Sequence, residues 1–94
     1  MEREPHFYVY VFELNDDSKY VYVGQSYLMP EKRRQQHILG PHKARSIRYC
    51  KIGKLRPDLY EQYNPITTRQ EAEKMEAWLA DNLRQRGFHV EGGH

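Results

Sequence analysis

The stretch Tyr8-Val9-Tyr10, followed by Tyr20-Val21-Tyr22-Val23-Gly24-Gln25-Ser26, decides how the rest of the chain is read. Two runs of β-branched and aromatic residues, Phe7 to Leu14 and Lys19 to Ser26, flank the turn signal Asn15-Asp16-Asp17-Ser18. Runs of this kind bounded by turn formers predict an antiparallel hairpin. Tyrosine suits a half-exposed strand, but a buried strand packs as well with Val or Ile and then has no hydroxyl to satisfy. Tyr8, Tyr10, Tyr20 and Tyr22 therefore ask for a role. Alternation places Tyr8, Tyr10, Phe12 and Leu14 on one face of the first strand, and Tyr20, Tyr22 and Gly24 on one face of the second. Register decides whether those faces coincide. A four-residue loop at 15–18 sets Tyr10 and Tyr22 on opposite sides; a three- or five-residue loop, or one bulge, brings them together.

Outward from the hairpin, Gly24 has no side chain where the second strand ends, which marks either a strand terminus or a close approach by a ligand or another backbone. Pro30 suits the first turn of a helix, and Gly40-Pro41 stops it, so residues 30–39 form about two and a half turns. Arg33 and His37 lie four apart on one side. Only Ile38 and Leu39 are strongly apolar there, which leaves much of the surface for something other than packing. His42 to Lys51 reads as a second short helix, with Ile47, Tyr49 and Ile52 inward and Gly53 ending it. Leu55 to Tyr63 alternates and reads as a third strand with Pro57 at its start or edge. Thr67 or Thr68 caps a last helix from about Arg69 to Arg86, with Glu71 completing a capping box and Gly87 closing it. Its apolar stripe is Ala72, Met75, Leu79 and Leu83, with Trp78 alongside. Glu76 falls inside that stripe, ~40° from Ala72 and ~20° from Leu83. A carboxylate there is costly unless it is paired, for instance with Arg33, or bound to a metal. The remainder, Phe88 to His94, reads as a short tail with a flexible Gly92-Gly93.

These elements make an α+β fold: a small three-stranded antiparallel sheet flanked by helices in the order β-β-α-α-β-α, one domain over residues 1–94. Ninety-four residues allow one core of limited depth. With 38% hydrophobic and 30% charged residues the chain is globular rather than disordered. No run approaches the ~18 apolar residues of a membrane span. The polar start Met1-Glu2-Arg3-Glu4-Pro5 is no signal peptide, and the single Cys50 permits no internal disulfide, so a cytoplasmic location is expected. The net charge of +2 hides an uneven distribution. Residues 1–31 carry −4, residues 32–56 carry nine Lys or Arg and no acid, and residues 58–94 carry −3. A local field of that sign attracts polyanions. With one Cys and no paired His spacing, His6, His37, His42, His89 and His94 do not form a structural zinc site.

In this order the motifs resemble the GIY-YIG nuclease superfamily. Tyr8-Val9-Tyr10 fills the first motif's slot and Tyr22-Val23-Gly24 the second, with eleven residues between Tyr10 and Tyr22. Ser26, two after the glycine, the Arg33 to His37 helix and the segment Ala72-Glu73-Lys74-Met75-Glu76 are similar to the family's remaining motifs. The likeness runs from Phe7 to Gly93, and Trp78 with the final Gly-Gly-His looks like short bacterial stand-alone members. Two departures stand out. Tyr8 replaces the leading glycine, and Val90-Glu91-Gly92-Gly93 lies where many members carry an asparagine. Either Glu91 stands in for it or the role is absent.

The resemblance implies a metal-dependent endonuclease acting on nucleic acid, DNA ahead of RNA, as a monomer or weak dimer with no membrane and no small-molecule cofactor. It implies that Tyr10 acts as, or orients, the general base. Cations nearby, Arg33 and a metal, would lower its pKa from ~10. Tyr22 would bond the water or the phosphate, Arg33 would hold phosphate oxygens with its planar fork, and His37 would relay a proton or position Tyr10. Glu76 would be the single protein ligand of Mg²⁺ or Mn²⁺. Gly24, Ser26, Lys32, Arg34, His42, Lys43, Arg45 and Arg48 are the candidate nucleic-acid contacts. A non-catalytic nucleic-acid-binding module on the same scaffold is the alternative, and a protein-interaction domain built on the exposed aromatics and Trp78 is the third reading.

Overall fold

The hairpin forms because Asn15 and Asp16 both adopt positive φ, 54° and 58°. These are residue types that tolerate the left-handed region and make tight, twist-matched turns. The computed structural model describes residues 6–40 and 43–93. In it β1 (Tyr8–Leu14) pairs antiparallel with β2 (Asp17–Ser26). The turn is shorter than the four-residue loop of the sequence reading, and the strands take up the difference as a bulge between Glu13 and Leu14. The shift sets Tyr10 opposite Gly24 and Phe12 opposite Tyr22, so Tyr10 and Tyr22 share a face.

The α+β class stands, but the sheet has four strands in the order β3-β1-β2-β4 and is mixed rather than purely antiparallel. β3 is Ile52–Leu55, earlier than the predicted Leu55–Tyr63, and Gly53 lies within it instead of ending a helix. Residues 57–59 and 61–63 form single 3₁₀ turns. Pro57 opens the first of these, where its missing N–H costs nothing. Asn64 then does what a strand would have done at the β1 edge. Its side chain accepts from the Val9 N–H at 2.9 Å and donates to the Val9 carbonyl at 2.8 Å.

The predicted helix over 42–51 reduces to one 3₁₀ turn, Arg45–Ile47. Like charges crowd this segment, and so short a helix does not hold without packing. Ile47 is fully buried, Ile52 is half-buried, and Tyr49, expected inward, is 90% exposed. α1 spans Pro30–Leu39 as expected, ended by Gly40 at φ 97°. α2 spans Arg69–Gln85 and is capped by Thr68, whose Oγ1 accepts from the Glu71 N–H at 3.1 Å.

The supposed tail is a strand. β4 (His89–Gly92) runs parallel to β2, with Tyr22 opposite Glu91 and Val23 opposite Gly92. Parallel neighbours need a long crossover, and α2 is the last element of this one. Gly92 and Gly93 take positive-φ conformations, 78° and 82°. A Cβ on Gly92 would overlap the Val23 carbonyl oxygen, and one on Gly93 would overlap the Ala80 Cβ of α2. Val9, Val11, Val21 and Val23 join Ala72, Leu79, Ala80 and Leu83 in a single core. Among the described residues no helix is long and apolar enough to cross a membrane.

The glycine contacts give a direct test of the β4 closure. Gly93→Ala must both strain the backbone and push against Ala80. We expect a cost of about 2 kcal/mol or more, a fall of roughly 10 °C in melting temperature for a chain of this size. Thermal denaturation followed by circular dichroism measures it; a Tm within a degree or two of wild type would show that β4 does not close the sheet in this way.

Candidate active site

Tyr10 is central in β1 and faces Gly24 across the ladder. Its ring lies over the glycine so closely that a Cβ at position 24 would overlap the phenol Oη and Cζ. The close approach signalled by Gly24 is therefore made by a side chain of the chain itself. Tyr10 is 1% exposed, and its hydroxyl is hydrogen-bonded to Nε2 of His37 at 3.0 Å. His37 comes from the last turn of α1 and is fully buried. Its Nδ1 is buried with no hydrogen-bond partner among the described residues. Three further ring contacts pin this group. Phe12 stacks on Tyr22 at 5.3 Å and 18°, Tyr22 lies 5.2 Å from His37, and Tyr10 lies 6.1 Å from Tyr22, measured between centroids.

Burial dominates the electrostatics. It pushes the Tyr10 phenol well above its ordinary range; the neighbouring Tyr22 adds to this, Arg33 opposes it, and Glu76 raises it again. Tyr22 is raised by burial and then by Glu76, against Arg33. Arg33 acts in the expected direction but does not by itself bring the Tyr10 phenol below its usual value, because desolvation of the phenolate outweighs one guanidinium. His37 is driven the other way, to about 4, by burial first and then by the positive charges of Arg33 and Lys43. At neutral pH the pair is a protonated phenol against a neutral imidazole.

Glu76 is 8% exposed on the inner side of α2, and its charge is felt at both phenols. The fold so gathers Tyr10, Tyr22 and His37 in contact, with Arg33 and Glu76 acting on them through space. Compared with known families, the chain matches the GIY-YIG catalytic domain over residues 6–89. It belongs to the GIY-YIG family. No curated protein and no solved structure matches it.

The other candidate contacts of this GIY-YIG domain are spread more widely. Ser26 Oγ accepts from the Leu28 N–H at 3.0 Å and shapes the turn into α1. Arg34 donates from Nε to the Gly53 carbonyl at 2.6 Å, which ties α1 to β3. Lys32 is exposed. Lys43 donates from Nζ to the Cys50 carbonyl at 3.0 Å, and with Arg45, Arg48, Ile38 and Gly40 it lines a depression of about 450 Å³. His42 lies outside the described residues. Glu91 accepts from the Tyr20 hydroxyl at 2.7 Å. Sequence reasoning missed Gln36, whose Oε1 accepts from Arg33 Nη1 at 3.1 Å and steadies the guanidinium. Their i, i+3 spacing on α1 was the available signal. It also missed Phe12 as the ring that braces Tyr22.

Among the described residues no three His, Cys, Asp or Glu side chains gather into a metal cage. A nearly buried carboxylate whose charge is felt at two phenols is of the donor type that a hard divalent cation takes while keeping most of its ligands as water or substrate oxygen. Glu76 is the residue that would hold it.

The lowered His37 pKa has a consequence for stability. Between pH 6.5 and about 4 the unfolded chain binds a proton at this histidine that the fold does not. Stability from this group is thus complete above pH 6.5 and is lost as pH falls through that window. The loss is on the order of 3 kcal/mol. Urea denaturation of wild type and His37→Gln at pH 7 and pH 4.5 should show a markedly smaller acid loss in the variant; equal losses would mean that His37 titrates normally.

Proposed function

We propose that this chain is a metal-dependent endonuclease that hydrolyses phosphodiester bonds in nucleic acid, DNA in preference to RNA. The observation that carries the reading is the Tyr10–His37 hydrogen bond, held in a ring cluster with Tyr22 within the influence of Arg33 and Glu76. A phenol raised by burial does not serve as a free phenolate. Tyr10 instead takes a proton from the attacking water as its own proton passes to His37 Nε2, so that no charge is stranded on the ring oxygen. Neutral His37 is available to receive it. Tyr22 orients the water or a phosphate oxygen. Arg33, steadied by Gln36, sets its planar fork against the non-bridging oxygens and offsets the charge that builds on them. Glu76 would hold Mg²⁺ or Mn²⁺, which when bound supplies charge neutralisation at the phosphate and the leaving oxygen. The depression lined by Lys43, Arg45 and Arg48 takes the backbone away from the point of cleavage.

Glu76→Ala tests this directly. It should keep the fold and nucleic-acid binding while cutting of labelled single-stranded, duplex and branched DNA and of RNA in Mg²⁺ or Mn²⁺ falls by about 100-fold or more. Cleavage at the wild-type rate would remove Glu76 from the mechanism. Salt-sensitive binding with no cutting of any substrate under either ion would instead identify a binding module on a nuclease scaffold.

A further inference from the structure

Beside Arg33 lies a pocket of about 280 Å³ lined by Gln25, Ser26, Tyr27, Arg33, Gln36 and Arg69. Arg69 comes from the acidic third of the chain, outside the basic block of residues 32–56, and the fold brings it to the end of β2 and the start of α1. Among the described residues, two guanidiniums and two side-chain amides line the pocket and no carboxylate does. Guanidinium forks at such a place suit phosphate oxygens, and amides suit the edges of a base. Tyr27 is 70% exposed, a large ring surface left uncovered at the same pocket.

We propose that this pocket is a subsite for one unpaired nucleotide next to the scissile bond, with its phosphate held by Arg33 and Arg69 and its base against the Tyr27 ring. The proposal rests on the nuclease reading, because it places Arg33 between the reacting phosphate and its neighbour. It goes further by naming Arg69 and Tyr27 as binding residues and by requiring a strand whose base is free to leave a duplex stack. Base–aromatic stacking of this kind is tolerant of sequence, so the subsite selects unpaired strand over paired strand and not one base over another.

The test uses a short fluorescein-labelled DNA single strand and the matching duplex, in EDTA, titrated with wild type, Arg69→Ala, Tyr27→Ala and a charge-matched control, Arg86→Ala. Arg69→Ala should weaken single-strand binding about ten-fold and flatten the dependence of log Kd on log salt by about 0.7, the loss of one phosphate contact. Tyr27→Ala should weaken single-strand binding about ten-fold with the salt slope unchanged and duplex binding unaffected. Both residues are exposed, so both variants should melt as wild type does. Arg69→Ala indistinguishable from Arg86→Ala, or Tyr27→Ala weakening duplex and single strand alike, overturns the subsite, while a wild type that still binds in EDTA and cuts once Mg²⁺ or Mn²⁺ is supplied keeps the nuclease reading. A wild type that binds neither strand overturns both.

Discussion

The packing of the Tyr10 phenol across Gly24, with its hydroxyl on His37, is the constraint on which the rest of the structure depends. A strand pair normally separates facing side chains by sharing the space between them. Here one partner gives up its side chain entirely, so the other can lie flat and reach the last turn of α1. That single allowance helps orient α1, because His37 in its last turn meets the phenol hydroxyl at 3.0 Å with its ring tilted 56° to the tyrosine. With His37 placed, Arg33 one turn earlier and Gln36 beside it are carried to the rim of the same face. The hairpin bulge is the other half of the device. Without it Tyr22 would sit on the opposite side of the sheet, and the Phe12–Tyr22 stack that braces the cluster could not form.

Burial gives this cluster its chemical character. Removing Tyr10 and His37 from water costs each of them its charged form, so the phenol keeps its proton and the imidazole stays neutral. A neutral hydrogen-bonded pair is stable in an apolar setting where an ion pair would be expensive. Glu76 is the exception to the general neutrality. It sits in the apolar stripe of α2, and its negative charge works against ionisation of both tyrosines. A carboxylate in such a position is costly unless it is paired or holds a cation.

The closing of the sheet by β4 shows the same economy of space. The parallel pairing of β4 with β2 brings Gly92 against the Val23 carbonyl and Gly93 against Ala80. Both glycines adopt backbone conformations that other residues rarely take, so the end of the strand and the helix meet without an intervening side chain. The strand that carries Tyr22 is thereby paired on both edges, which fixes the position of its phenol.

The hairpin, both α-helices with their boundaries, the inward placement of Glu76 and the conditional register of Tyr10 and Tyr22 were legible in the amino-acid order, because each is local. Helix ends follow from Pro30, Gly40, Thr68 and Gly87, strands from alternation, and the buried acid from its place in a 3.6-residue period. What the chain order could not decide was everything set by distant partners. β4 has too few residues to announce itself and exists only because β2 offers it an edge. Residues 57–63 alternate like a strand, yet Asn64 satisfies the backbone they would have paired with. Tyr49 looked apolar enough to be inward, but no core surface reaches it. The protonation states of Tyr10 and His37 belong to the tertiary structure as well, since desolvation depends on what surrounds a group in space and not on its neighbours along the chain.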